Sequence, residues 1–409
     1  MNKIFATDWK LALLKQNPFP NTPPTRPEDS VWAGFPDLRK QLDALFAEAV
    51  STSRTQIVLN KGEYGSGKTH AAIFYRRKDY LAQFYESKKV KDVEIVYIRT
   101  PKEPDKAGIT LYQNIIEHIQ FRHIRSVIKE LVMEYGDQES LEKLQELTES
   151  EPLARAIWLL GHEQGRGDQL PLFQDTNIAN SHQKLIESYF YSDATKNDLR
   201  QLGLTRAIKT IQDRFLILGS ILQCMIGLAE TEDIKRHRRV ILWIDELEDL
   251  ITYPVRYYRP FTQGLRDLID RLPNYFTLMM NLSLASPESL EDIGVVLGKA
   301  LMDGITKQIY FREPEEEEAF VYVKDLLNVY RTEDFKHMTL PDIYPFEEKA
   351  LRMLIADLPV RTPRRINQRC ASILGEALQT GIIRSPGNGV ITEEFVRQAE
   401  DSLIEFDVR

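Results

Sequence analysis

The run Gly62-Glu63-Tyr64-Gly65-Ser66-Gly67-Lys68-Thr69 sets glycines, a lysine and a hydroxyl in the G-x-x-x-x-G-K-[ST] spacing that lets a backbone wrap a polyphosphate. Each residue type has a physical task. Glycine admits the conformations in which successive amides turn inward, and it carries no Cβ to block phosphate oxygens. Lys68 supplies a mobile positive charge, Thr69 a hydroxyl able to ligate Mg2+, and a helix starting at the loop's end adds its positive pole. With His70 directly after it, residues 62–70 are the candidate nucleotide-contacting set. A glycine-rich turn holding nothing is the bland alternative; a strand-like run before the loop and a helical pattern after it weigh against that.

A second pair of chemically suited residues stands far along the chain. Asp245 and Glu246 close the apolar run Val240-Ile241-Leu242-Trp243-Ile244, whose composition is that of a strand buried on both faces. Both carboxylates then emerge at the strand's tip. Asp245 is suited to hold a metal's water shell, and Glu246 to orient and polarise a water for in-line attack on a γ-phosphate. Acids also favour helix starts, and Glu248 and Asp249 follow closely. The apolar run ahead of the pair is nevertheless what a phosphate-loop fold requires. The expectation is that both stretches converge on one Mg2+–ATP, with ATP and Mg2+ as cofactors and hydrolysis to ADP and phosphate as the reaction.

These residues need elements to position them. A β-prone run at 56–60 leads into the loop and a helix-compatible pattern at 71–85 leaves it. Further strands are predicted at 93–98, 240–244 and 276–285. Strands alternating with helices imply an α/β fold, a mostly parallel sheet with helices on both faces and its ligand site beyond the strands' carboxyl ends. From Pro36, Leu38, Leu42, Leu45, Phe46 and Ala49 recur at helical spacing.

The chain then divides as follows. Residues 1–30, rich in Pro, Asn and Thr, read as an extended arm. Residues 31–106 and 234–312 are the two parts of the core. Between them, 107–233 is far longer than a crossover needs and reads as a helical insertion, with an acidic helix pattern at 134–151 and a polar, glycine-containing break at 161–176. Residues 313–409 read as a C-terminal helical lid, opened by the helix start Glu313-Pro314-Glu315-Glu316-Glu317-Glu318.

With 409 residues, 43% hydrophobic and 28% charged, the chain is globular and long enough for two or three structural units. No apolar run is long enough to span a bilayer, so no membrane partner is expected. The start lacks a secretory pattern and the two cysteines, Cys224 and Cys370, lie far apart, which places the protein in a reducing cytoplasm. A formal net charge of -8 argues against indiscriminate coating of nucleic acid. Two basic or aromatic stretches leave a local contact open. Residues 253–261 interleave rings with guanidinium groups, as single-strand stacking surfaces, protein interfaces and packed loops all do, and Lys235-Arg236-His237-Arg238-Arg239 is a basic run or a strand's solvated entrance. Zinc-type ligand spacing is absent, so any metal arrives with a nucleotide.

The loop, the acid pair and their placement resemble those of AAA+ ATPases, above all the branch of origin-recognition and Cdc6-like initiators and transposition ATPases. Three further stretches are similar. Trp32-Ala33-Gly34-Phe35 looks like the segment set beside the adenine ring, with Trp32 the contacting residue, although an ordinary aromatic turn reads the same way. Ala285-Ser286-Pro287-Glu288 resembles the sensor 1 position, with Ser286 toward the γ-phosphate and Asn281 or Ser283 as substitutes. Thr362-Pro363-Arg364-Arg365-Ile366-Asn367 is similar to the sensor 2 helix start, with Arg364 reaching from the lid. The resemblance implies a P-loop, AAA+-like core with a helical insertion and lid, a catalytic set of Glu246, Ser286 and Arg364, and metal ligands Thr69 and Asp245. It also implies a homo-oligomer, but no arginine stands where a trans-acting finger belongs; Lys299 is near and Arg312 later. The function implied is an ATP-driven switch or assembly factor with a protein effector and possible DNA, in transposition, replication control or defence against mobile elements. An ATP-gated signalling or scaffolding module that never touches DNA is the alternative.

Overall fold

A computed structural model describes residues 8–85, 90, 92–167, 176–227, 237–284 and 288–399. The chain opens with α1 (Pro36–Ser51), β1 (Gln56–Glu63), α2 (Lys68–Phe74), α3 (Lys78–Tyr85) and β2 (Val93–Arg99). The helices α4 (Ala107–Ile119), α5 (Phe121–Thr148), α6 (Glu151–Gly167), α7 (Thr176–Phe190), α8 (Lys196–Gln201) and α9 (Ile211–Ile226) follow. Then come β3 (Arg239–Asp245), α10 (Val255–Arg271), β4 (Phe276–Leu284), α11 (Glu288–Asp303), β5 (Lys307–Phe311), α12 (Glu316–Val329), α13 (Glu348–Ala356) and α14 (Pro363–Gln379).

The strands form one sheet in the order β2-β3-β4-β1-β5. β2 runs parallel to β3, with Val93 opposite Arg239 and Arg99 opposite Asp245, and β3 runs parallel to β4 from Val240 opposite Phe276. All of β3 is buried, as the covered faces of a parallel sheet demand. β5 was not foreseen. It is short, and its residues Gln308 and Tyr310 are exposed while Ile309 and Phe311 are buried, so it carries only a brief one-sided pattern.

Local corrections have local causes. The helix expected over 71–85 is two helices, since the chain turns at 75–77, where Tyr75 donates its hydroxyl to Asp43 Oδ1 at 2.7 Å and Arg77 Nη1 reaches Ser30 O at 2.8 Å. The break expected at 161–176 is helical through Gly167, and residues 168–175 lie outside the described residues. Gly161 is there for packing: a Cβ would stand 2.6 Å from Ile128 Cγ2 of α5. Within α5 the backbone leaves helical geometry at Gly136 (φ 76°, ψ 171°).

Proximity groups the chain into two units. Unit 1 comprises Met1–Asp43, Lys61–Tyr80 and Tyr310–Arg409; unit 2 comprises Ala44–Asn60 and Leu81–Ile309. In unit 1 the described part of the N-terminal stretch packs into a buried cluster. Ala12, Leu14 and Phe19 share a buried cluster with Val323, Leu351, Ile366 and Leu374, Phe19 meets Phe346 edge-on at 6.3 Å, and Asn367 Nδ2 donates to Pro20 O at 2.9 Å. In unit 2, Tyr112, Ile128, Ile157 and Phe215 of the insertion share one cluster with Leu242, Leu265 and Leu278. Among the described residues no helix is long and apolar enough to cross a membrane.

Gly264 of α10 lies so close to α9 that a Cβ would stand 2.2 Å from Phe215 Cδ2. Overpacking of this kind costs about 1–3 kcal/mol, so Gly264→Ala is expected to lower the denaturant midpoint. Gly375, on α14 with open space at its Cβ position, is the control: its change to alanine is expected to add about 0.5–1 kcal/mol through helix propensity.

Candidate functional site

In unit 1, Gly65 and Gly67 have φ values of 83° and 102°, a region that favours glycine. Gly62 and Gly65 are also sites of close approach, where a Cβ would stand 2.4 Å from Phe311 O and 2.8 Å from Arg364 Cβ. The loop folds around Lys68, which is 5% exposed. Its Nζ donates to Gly62 O at 2.9 Å, Glu63 O at 2.8 Å and Ser66 Oγ at 3.1 Å. A buried ammonium requires such acceptors. Thr69 is half-buried on the first turn of α2, while Glu63 and Tyr64 are exposed.

The same unit brings Arg364 to this loop. Its guanidinium lies over the Tyr64 ring, 4.2 Å from the centroid, and its backbone N–H donates to Gly65 O at 3.3 Å. α14 starts here because Pro363 suits a first helical position and the Thr362 side chain caps the Arg365 N–H. Trp32 is half-buried, its ring 5.3 Å from Phe74 and 6.4 Å from His70, and its indole N–H donates to Gly34 O at 3.0 Å. His70 Nε2 donates to Val31 O at 2.8 Å, and burial pushes its pKa below the usual value. A neutral His70 therefore ties α2 to the Trp32 segment.

In unit 2, Asp245 is 2% exposed at the end of β3. Tyr97 of β2 donates its hydroxyl to Oδ2 at 2.6 Å, while Asn281 Nδ2 and the Glu246 N–H each reach Oδ1 at 3.0 Å. Asn281 is fully buried on β4, and its Oδ1 accepts from Trp243 Nε1 and Asn60 Nδ2, both at 2.9 Å. The Asp245 carbonyl accepts from Thr100 N at 2.8 Å and Thr100 Oγ1 at 2.9 Å.

Glu246 sits differently. Its φ of 59° is left-handed, a conformation that costs a non-glycine residue about 1–3 kcal/mol and clusters at functional sites. Oε1 lies 3.9 Å from Arg99 Nε, and Oε2 is buried without a hydrogen-bond partner. Burial pushes its pKa up; Arg99 offsets part of this and Asp245 adds to it. A carboxylate with raised proton affinity and an unengaged oxygen is suited to accept a proton.

The remaining sequence expectations divide. Ser286 lies outside the described residues. Asn281, its proposed substitute, lies beneath Asp245 instead of standing open to a ligand, and Ser283 N donates to Glu248 Oε2 at 2.9 Å. Lys299 is exposed on α11, and Arg312 pairs with Glu318, whose side chain closes the N-terminal cap of α12. In the basic run, Lys235 and Arg236 lie outside the described residues, while Arg238 and Arg239 are buried, so the described part is neither a solvated entrance nor an open surface. Arg239 Nε donates to Val50 O at 3.0 Å and its guanidinium covers the Tyr275 ring; Arg238 pairs with Asp92 and His123. Of residues 253–261, Tyr253 and Phe261 are buried, while Arg256 and Arg259 are exposed at the start of α10. Sequence reasoning missed Tyr97, Arg99 and Thr100; the available signal was two polar residues, Tyr97 and Arg99, spaced by two at the carboxyl end of β2.

Comparison with known proteins gives a family match over part of the chain and a likeness of fold. Residues 26–156 match the family described as "Bacterial TniB protein". The ADP form of the ORC2 protein of Aeropyrum pernix superposes with a TM-score of 0.50 at 10% identity, over 95% of this chain and 73% of that one. Its ADPNP-ADP complexes give a TM-score of 0.49 at 11% identity, over 92% and 71%. No curated protein matches this chain.

A carboxyl whose pKa is raised in the fold binds its proton more tightly there than in the unfolded chain, so its stability contribution is lost as pH rises through the raised value. Glu246→Gln removes that loss. Its thermal midpoint is expected to exceed wild type at neutral pH, with the gap closing below about pH 4, where the unfolded carboxyl is protonated too. A lower midpoint at neutral pH would contradict the assignment.

Proposed function

We propose that this chain, which has an AAA+ P-loop fold resembling the origin-recognition/Cdc6-like and transposition-ATPase branch, binds Mg2+–ATP and hydrolyses it to drive a switch or assembly step. The observation that best supports hydrolysis is the unequal pair at the end of β3. Asp245 is held from three sides, while Glu246 keeps a buried oxygen without a partner and a raised pKa.

In this reading the amides of residues 62–67 hold phosphate oxygens, Lys68 adds positive charge, and His70 with Trp32 supports the adenine side. The donor set suits Mg2+: a Thr69 hydroxyl and an Asp245 carboxylate are hard oxygen ligands. Bound Mg2+ would neutralise phosphate charge. Glu246 orients the attacking water and accepts its proton, with Ser286 toward the γ-phosphate. Arg364, stacked on Tyr64, ties the lid helix to the loop, so that loss of the γ-phosphate alters what that guanidinium can bond to.

The family match over 26–156 supports a DNA-associated process such as transposition, replication control or defence against mobile elements, with the chain acting as a homo-oligomer on a protein effector. A second reading, an ATP-gated module acting on a protein alone, is favoured by the burial of Arg238 and Arg239. DNA that changes the ATPase rate or oligomer size supports the first; a stoichiometric protein partner retained after nuclease, with no response to DNA, supports the second.

Lys68→Ala is expected to abolish nucleotide binding. Glu246→Gln is expected to keep ATP affinity but lose turnover by about 10²-fold or more, measured as phosphate release. Undiminished turnover in Glu246→Gln removes that residue from its role.

A further inference from the structure

We infer that Tyr97 is a positioning residue for Asp245, its hydroxyl fixing the carboxylate so that the acid meets Mg2+ in a single orientation. This rests on the reading of Asp245 as the metal-holding acid and adds a strand, β2, that neither sequence motif includes.

The geometry is specific. Tyr97 and Arg99 are two residues apart on β2 and so share one face of the sheet, and the parallel register sets Tyr97 opposite Trp243 and Arg99 opposite Asp245. The Tyr97 hydroxyl reaches Asp245 Oδ2 at 2.6 Å. The phenol hydroxyl is the donor of that bond, so its proton points at Asp245. Arg99 lies 3.9 Å from Glu246.

The consequence follows from how carboxylates turn. The terminal torsion of aspartate is broad, so a single donor leaves the group free to rock. Here Oδ1 is held by Asn281 and the Glu246 N–H, and Oδ2 by Tyr97 on the neighbouring strand. With both oxygens held, the plane of the carboxylate is set. Loss of the Tyr97 hydroxyl removes the donor that β2 supplies to Oδ2, and outer partners of a metal ligand are worth about 10- to 100-fold in metal affinity.

Tyr97→Phe keeps the ring and removes the donor. In the full-length protein, binding of a non-hydrolysable ATP analogue is measured by calorimetry across a Mg2+ titration, with Mn2+ binding followed in parallel by electron paramagnetic resonance. The expected result is a rise of about 10- to 100-fold in the Mg2+ needed for half-maximal enhancement, and a matching loss of Mn2+ affinity. Affinity for the analogue without metal should stay near wild type, which a merely structural hydroxyl would not predict. Asp245→Asn separates the two levels. If it abolishes the Mg2+ enhancement while Tyr97→Phe behaves as wild type, the role given to Tyr97 is wrong. If Asp245→Asn itself leaves the enhancement intact, the metal-holding reading of Asp245 fails, and this inference with it.

Discussion

A carboxylate at the end of a strand buried along its whole length is costly unless donors meet it, and Asp245 governs unit 2 for that reason. Tyr97 comes from β2, Asn281 from β4, and Asn281 in turn needs Trp243 of β3 and Asn60 of β1. One charge thereby ties together side chains from four strands. It also fixes their register, since a slip of β2 by one residue would turn Tyr97 to the opposite face and leave Asp245 without that donor.

Unit 1 meets the opposite sign of the same problem. Lys68 is a buried cation, and the loop satisfies it by turning the carbonyls of Gly62 and Glu63 toward the ammonium. That curvature needs glycine at Gly65 and Gly67, and the absence of a Cβ at Gly65 is also what lets Arg364 and the start of α14 approach. Loop conformation and lid-helix position are consequently one packing decision. Tyr64 then gives the Arg364 guanidinium a ring to rest on, beyond the backbone contact at Gly65.

What was legible in the sequence shares a property: the signal is local. The loop is defined by residue types at fixed spacing, β3 by an unbroken apolar run, and the start of α14 by Thr362 and Pro363. What escaped is set by partners distant in the chain. Nothing near Tyr97 announces Asp245, and nothing near Arg239 announces Val50 and Tyr275, so a buried arginine read as part of a charged surface. Gly161 looked like a loop signal because glycine in a sequence does not say whether it bends the backbone or admits a neighbour, here Ile128. The proline-rich start hid Phe19 for the same reason, because its burial depends on Phe346.

The proposed activity requires that this chain take up a nucleotide together with a metal. The direct measurement is equilibrium calorimetry of the wild-type protein with a slowly hydrolysed ATP analogue, with Mg2+ present and then chelated. One nucleotide per chain, bound more weakly once the metal is removed, is the predicted result. No detectable uptake in either condition would contradict it.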